Sequence, residues 1–313
     1  MKFTLKQLRY FDAALRLGSI ARASEEMNIS QSSVTAALDL IEQSIGQELF
    51  RRIPAKGIIA TQAGQDVGKR VSAFLEQARL FESDLLSLTG DPTGTLRLGC
   101  YEPTAPFVLP PLMKQIAATY PDIRIDLKEG NMHQIADWLR SNTVDVALTY
   151  QAETPSEMPF LPLFHARPWA LIPHNSPLSQ QASVSLQDLK DEPMVALDLP
   201  AAKSYFEEMF QIQGLVPNVA HTTQSSAVLR GMVAGQFGYS ILNICGPNDR
   251  DKHAGYAALP INGAVKTQTF GLAYSAVLQQ STIVDAVIKI CEVLAAKQKF
   301  SHLLLEPTSE VDQ

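Results

Sequence analysis

Residues 17–35 constrain this chain more than any other stretch. They read Leu17-Gly18-Ser19-Ile20-Ala21-Arg22-Ala23-Ser24-Glu25-Glu26-Met27-Asn28-Ile29-Ser30-Gln31-Ser32-Ser33-Val34-Thr35. Just before them Leu5, Leu8, Phe11 and Leu15 recur at spacings of three and four, the pattern of an amphipathic helix. Gly18 ends that helix and Ser19 caps a second, whose inner face carries Ile20, Ala23 and Met27. Asn28 tolerates a left-handed turn, and Ser30 stands where an N-cap belongs. Val34, Leu38, Ile41 and Ile45 then form the buried stripe of a third helix. That stripe fixes what faces outward: Gln31, Ser32, Thr35 and Asp39 lie away from it.

Two short helices joined by a tight turn, with a polar outward helix start, form the unit that lays its second helix in the major groove of DNA. Gln31, Ser32, Ser33 and Thr35 occupy the first turns, which enter the groove deepest. Glutamine pairs bidentately with adenine, and serine or threonine bonds to base or phosphate. Arg51-Arg52-Ile53-Pro54-Ala55-Lys56-Gly57-Ile58-Ile59 follows, and its Lys56-Gly57 turn between apolar segments suggests a hairpin wing. Arg51, Arg52 and Lys56 would supply phosphate contacts. The chain carries 26 Lys/Arg and 32 Asp/Glu; eight and six of these fall within residues 1–61, a net of +2 for that segment and −8 for the remainder. The third helix holds no Lys or Arg, so one copy should bind DNA weakly and useful affinity should need several copies. A plain three-helix core without a nucleic-acid role is the alternative.

The same residues carry a family resemblance. Leu8, Phe11, Gly18-Ser19-Ile20, Ala23, Ser30-Gln31-Ser32-Ser33-Val34, Leu40-Ile41-Glu42, Gly46, Leu49-Phe50-Arg51-Arg52 and Thr61-Gln62-Ala63-Gly64 resemble the N-terminal winged helix-turn-helix of LysR-type transcriptional regulators. The spacing holds over about sixty residues without a gap. Ser24, Met27 and Ile41 stand where the family usually has Ala, Leu and Leu, and Glu25-Glu26 is acidic for a segment near phosphate. The resemblance implies that Gln31, Ser32, Ser33 and Thr35 read double-stranded DNA, and that Arg51, Arg52 and Lys56 hold its backbone.

Between residues 62 and 89 the apolar positions Val67, Val71, Phe74, Ala78, Phe81, Leu85 and Leu88 alternate spacings of four and three, an unbroken heptad repeat. Gly90-Asp91-Pro92-Thr93-Gly94 then ends the helix. A long helix packed on its own domain would show a similar pattern. A pairing helix accounts better for the linker that follows, and it matches the dimerising linker helix of the family. A homodimer would present two recognition helices to a two-fold site; a homotetramer is implied by the resemblance alone.

From residue 91 onward strand-like runs alternate with amphipathic helices, which predicts α/β subdomains with largely parallel sheets. Strands are expected at 95–101, 123–129, 144–150, 168–172, 194–197, 218–222, 238–242 and 266–273. Helices are expected at 107–119, 134–141, 201–213, 225–234 and 282–297. The resulting organisation is a winged helix-turn-helix domain over 1–61, a linker helix over 62–90, a regulatory domain over 91–302 and a tail over 303–313. The regulatory domain divides into one subdomain of about 91–161 plus 267–302 and another of about 162–266. This resembles the family's regulatory domain, which is similar to a periplasmic binding protein with a cleft between its halves.

In such sheets ligands sit beyond the carboxyl ends of strands. Strand ends and helix starts place Tyr101, Glu102, Thr104, Asn131, Thr149, Asp198, Lys203, Ser204, Gln224 and Asn243 as candidate effector contacts. Asn131 serves equally well as an ordinary cap. Glu102 and Asp198 at the mouth, against Lys203 as the obvious cation, argue for a ligand with an amine, several hydroxyls or one carboxylate rather than a multiply charged anion. No targeting segment or membrane-length apolar run is apparent, so a cytoplasmic protein is expected. Cys100, Cys245 and Cys291 suggest neither disulfides nor zinc, and a buried strand thiol is the favoured reading of Cys100 over a redox sensor. No nucleophile elbow, phosphate loop or dinucleotide glycine pattern occurs. No cofactor, metal or enzymatic activity is expected. The reading is an effector-responsive transcription factor. Its rivals are a small-molecule binding protein with a vestigial helix-turn-helix and an α/β enzyme.

Overall fold

The computed structural model describes residues 2–53, 57–87, 91–275, 278 and 281–307. The chain forms two compact units, 1–85 and 86–313. Lys56, Leu88 and Gly90, each named above, lie outside the described residues, as does 308–313 of the tail.

The first unit comprises α1 (Leu5–Leu17), α2 (Ile20–Glu26), α3 (Gln31–Ile45), β1 (Phe50–Ile53), β2 (Gly57–Ala60) and α4 (Gln62–Ser87). Its helix ends follow local chemistry. Thr4 and Gln7 form a capping box on α1, and Gly18 ends that helix in the left-handed conformation. Ser19 and Ser30 accept hydrogen bonds from the Arg22 and Ser33 amides and so start α2 and α3. Asn28 adopts φ 51° in the turn between them.

The core gathers Leu8, Phe11, Ala23, Val34, Leu38 and Ile41. The wing is tied to this core by side-chain and backbone bonds. The Glu42 carboxylate on α3 accepts from the amides of Leu49 (2.6 Å) and Phe50 (2.9 Å). The Ile58 amide donates to the Gly18 carbonyl at 3.0 Å. Thr61 donates to the Glu48 carbonyl and accepts from the Gly64 amide. A Cβ at Gly64 would fall on the Leu49 carbonyl oxygen, so the start of α4 meets the wing at a distance only glycine permits.

The heptad stripe of α4 serves two purposes. Val71 is buried and Val67 half-buried, both against the unit's own core. Phe74, Phe81 and Leu85 are 42%, 64% and 48% exposed. The exposed part of the stripe therefore begins at Phe74, one heptad later than the spacing alone suggests.

The second unit opens with β3 (Gly94–Tyr101), α5 (Ala105–Thr119), β4 (Ile123–Gly130), α6 (Met132–Arg140), β5 (Val146–Tyr150) and β6 (Phe160–Ala166). Next come β7 (Trp169–Pro173), α7 (Leu186–Leu189), β8 (Pro193–Leu197), α8 (Pro200–Ile212), β9 (Asn218–Thr223), α9 (Ser226–Ala234) and β10 (Ser240–Leu242). It closes with β11 (Tyr256–Pro260), β12 (Gln268–Tyr274) and α10 (Thr282–Ala296).

The first subdomain is a five-stranded sheet in the order β4-β3-β5-β12-β6. β3 runs parallel to β4 and β5, whereas β12 is antiparallel to β5 and β6. The second subdomain holds the parallel pair β8-β9 and the antiparallel sheet β10-β7-β11. Its sheets are thus mixed rather than largely parallel. Parallel neighbours occur where a helix supplies the crossover: α5 between β3 and β4, α6 between β4 and β5 (which flank β3), and α8 between β8 and β9. β6 and β11 are absent from the sequence expectation. β6 carries Pro162 opposite a register shift in β12 and lies at the sheet edge, the position where proline is tolerated in a strand.

Because β6 belongs to the first sheet, the chain crosses to the second subdomain at Arg167-Pro168, and residue 161 falls inside that strand. The return runs through 261–267. Three side chains of the second subdomain region hold it: Arg167 donates to the Ile261 and Gly263 carbonyls, Tyr205 to that of Lys266, and Gln213 to that of Ala264. A third link follows α10. The Leu303 carbonyl accepts from the Cys245 amide and the Leu304 carbonyl from Arg250, while Leu305 packs on the second subdomain's core. The segment assigned to the tail over 303–313 therefore starts bound, because Leu303 is apolar and finds a buried site. Among the described residues no helix is long and apolar enough to cross a membrane.

Glu42→Ala removes the acceptor of two amides at the α3–wing junction. We expect it to destabilise the N-terminal unit by about 2–3 kcal/mol, read as a lower denaturant midpoint for that unit in the full chain; an unchanged midpoint would show that the carboxylate does not hold the wing.

Candidate functional site

The outer face of the first unit is built by α3 and the wing. Gln31, Ser32 and Ser33 are exposed and Thr35 is half-buried. Ser30, the cap, also shares hydrogen bonds with the Ser32 hydroxyl (2.9 Å) and the Ser33 hydroxyl (2.8 Å). This local network orders the helix start and leaves Gln31 as the long polar side chain projecting from it. Arg51 and Arg52 are exposed on β1. Arg52 reaches Asp39 on α3 at 3.0 Å. With 61% and 46% of these side chains exposed, the pair contributes little stability, and a phosphate could displace the carboxylate.

The second unit holds a small, partly open chamber between its subdomains. Tyr101, at the carboxyl end of β3, and Tyr150, at that of β5, meet edge to face with ring centroids 5.8 Å apart. Tyr205 on α8 and Asn243 just beyond β10 close the chamber from the other side. Its free volume is about 30 Å³. A larger vestibule of about 370 Å³ adjoins it and shares Met132, Tyr205 and Gln268 as lining.

Burial pushes the hydroxyls of Tyr101, Tyr150 and Tyr205 up, so all three stay protonated donors. The Asn243 side chain lies against both Tyr150 and Tyr205, while its Oδ1 is buried and accepts no hydrogen bond. Arg230 is the single charged side chain in the chamber wall among the described residues. It forms a forked pair with Asp249 at 2.6 and 3.0 Å.

The sequence candidates distribute unevenly over this geometry. Tyr101, Thr104 and Asn243 line the chamber; the Thr104 hydroxyl donates to the Tyr101 carbonyl. Ser204 lines the vestibule, with its hydroxyl committed to the Pro200 carbonyl. Asp198 and Lys203 stand 3.8 Å apart in a separate groove of about 150 Å³ between α8 and β9. Glu102 sits half-buried in the turn after β3, its carboxyl raised by burial and then by Glu129. Asn131 forms a capping box with Gln134 on α6. Thr149 is buried with Oγ1 unpaired and lines neither chamber nor vestibule. Gln224 is exposed before α9 and likewise lines neither. Cys100 is fully buried, and burial pushes its thiol up, away from the reactive thiolate.

Arg230 and Gln268 line the chamber without having been foreseen, while Tyr150 and Tyr205 stand beside the candidates Thr149 and Ser204, at the strand end and on the helix that the sequence points to. Strand alternation offered a signal for Tyr150, since Thr149 and Tyr150 must face opposite ways. Arg230 lies mid-helix, where no local rule points to a cleft.

The family model described as "Bacterial regulatory helix-turn-helix protein, lysR family" matches residues 5–65, and "LysR substrate binding domain" matches 89–295. The HTH-type transcriptional activator CmpR of Synechocystis is 30% identical over 247 residues, 77% of this chain and 79% of that protein. YvbU of Bacillus subtilis, an uncharacterised HTH-type regulator, is 25% identical over 241 residues, 77% of this chain and 81% of its own. The crystal structure of HinK from Pseudomonas aeruginosa, a LysR family transcriptional regulator, superposes with a TM-score of 0.60 at 30% identity. The match covers 95% of this chain and 99% of that one.

Tyr205→Phe removes the donor to the Lys266 carbonyl in the return segment while keeping the ring. We expect a loss of about 1 kcal/mol, measured as the unfolding midpoint of the second unit; Ser204→Ala beside it should change that midpoint by only a few tenths of that value. Equal effects would show that the Tyr205 hydroxyl does not hold the return segment.

Proposed function

The chain belongs to the LysR family of transcriptional regulators, and on that footing we propose that Gln31, with Ser32, Ser33 and Thr35 beside it, reads bases in duplex DNA. Arg51, Arg52 and Lys56 hold the phosphate backbone, and a small-molecule effector occupies the chamber between the two subdomains. The observation that carries this reading is the presence in one chain of an outward polar helix start beside exposed arginines and a partly open chamber between two subdomains.

The exposed apolar seam of α4 from Phe74 to Leu85 pairs with a second copy and brings two recognition helices to a two-fold site. A pair of such dimers makes the tetramer. An effector that favours one angle between subdomains shifts the oligomer between DNA-bound geometries, and does so only through different affinities for the two states. The family is one of regulators rather than enzymes. The division into 1–61, 62–90 and 91–302 assigns DNA reading, pairing and sensing to successive segments.

Titration of the full chain against its own upstream region and against random duplex tests this reading. Gln31→Ala should weaken preferred sites and leave random duplex unchanged. Arg52→Ala should weaken both, and Asp39→Asn, which frees Arg52, should strengthen both and steepen the salt slope by about 1. A wild type with no preference in moderate salt would mark a binding protein with a vestigial helix-turn-helix.

Phe81→Glu should convert the dimer to monomers in sedimentation and lower DNA affinity, because each dimer contact doubles the recognition helices engaged. An unchanged mass would place the interface elsewhere.

A further inference from the structure

The effector chamber has one acceptor waiting and no charge to spare. Asn243 is 8% exposed, and its Oδ1 makes no hydrogen bond. A buried amide oxygen left unpaired is unfavourable until a donor meets it. Around it stand the hydroxyl-bearing rings of Tyr101, Tyr150 and Tyr205 and the apolar side chain of Leu242. The one guanidinium in the wall is committed: Arg230 gives Nε and Nη2 to Asp249, and Nη1 to the Ser226 carbonyl at 3.3 Å. Asp249 is itself saturated by the Gly246 amide and the Tyr256 hydroxyl.

The approach to the chamber repeats this balance. In the vestibule Lys266 is paired with Glu208 at 2.9 Å, and Glu153 adds a further carboxylate near His133. Glu102 and Glu129 lie close enough to raise the Glu102 carboxyl. A carboxylate entering the chamber would give up water for a neutral ion pair and phenolic rings, behind an acidic rim. An ammonium group would pass the rim but, like a carboxylate, would find in the wall only the Arg230–Asp249 pair, whose charges already cancel. Neither charge finds a free counter-ion among the described lining residues.

We infer that the effector is a small uncharged molecule whose N–H or O–H donor pairs with Asn243 Oδ1 among the three tyrosines, its remaining atoms extending into the vestibule. Primary amides, alcohols and phenols satisfy this chemistry. The chamber's volume of about 30 Å³ admits only the donor head of such a molecule unless the subdomains part. This inference rests on the cleft being the effector site.

The test uses full-length protein and two matched series: propionamide, propionate and propylammonium, and benzamide, benzoate and benzylammonium. Each is titrated calorimetrically. An amide should bind saturably and at least about tenfold more tightly than its two charged counterparts. Asn243→Ala should weaken it about tenfold through loss of one buried acceptor. Tyr150→Phe serves as the second variant, since it keeps the ring and the packing. A carboxylate or ammonium that binds more tightly than its amide overturns the inference, and so does absence of binding by both amides. Binding of any kind that is unchanged in both variants places the ligand outside the cleft. The cleft reading itself fails if filling the chamber with Ala202→Phe leaves regulation of a reporter unaltered.

Discussion

Asp249 is 2% exposed and accepts four hydrogen bonds: two from Arg230, one from the Gly246 amide and one from the Tyr256 hydroxyl. Burial works against the charge of Arg230, and Asp249 more than offsets it, so the guanidinium stays charged. The Arg230 guanidinium in turn lies over the Phe107 ring of the first subdomain, 5.3 Å from its centroid. Phe107 also occupies the space that a Cβ on Gly246 would need. One carboxylate thus fixes the loop after β10, the wall of the chamber and a point where the two subdomains touch. Removing one partner of such a buried pair typically costs 3–5 kcal/mol, which makes this pair the element that the cleft depends on.

The DNA-facing unit is organised differently. Its core among the described residues is apolar, and caps, glycines and the Glu42 carboxylate place its wing. Glu42 turns toward Leu49 and Phe50 because β1 begins there, and the wing in turn sets Arg51 and Arg52 beside α3. The weak Arg52–Asp39 pair belongs to the solvent-facing side of this arrangement, where charge is available for exchange with a phosphate rather than locked by burial. The two units use charge in opposite ways: saturated and desolvated in the cleft, exposed and exchangeable on the helix-turn-helix.

The legible parts of the sequence were those where a residue answers to neighbours within a turn or two. Ser19, Ser30 and Asn131 cap as their types and positions require, and Asn28 takes the left-handed turn. The stripe of α3 fixes its outward residues because a helix buries one face. Where a pattern has two possible partners the sequence is ambiguous. The α4 heptad reads as a single seam, yet Val67 and Val71 face their own core while Phe74, Phe81 and Leu85 are left exposed. β6 is hidden in the sequence because its proline breaks the strand pattern, although an edge position tolerates it.

By itself the sequence determined the helix-turn-helix, its outward residues, the wing and the alternating α/β architecture, since caps, turns and periodicity act over a few residues. The tertiary structure alone decided the chamber. Tyr101, Tyr150, Tyr205, Arg230 and Asn243 come from five separate elements, and they meet only because the chain crosses between subdomains at 167–168 and again through 261–267. Which polar group ends paired, as in Arg230, and which is left waiting, as in Asn243 Oδ1, follows from that long-range closure. No local pattern encodes it, because hydrogen bonding between distant residues depends on where the backbone has been carried rather than on sequence spacing.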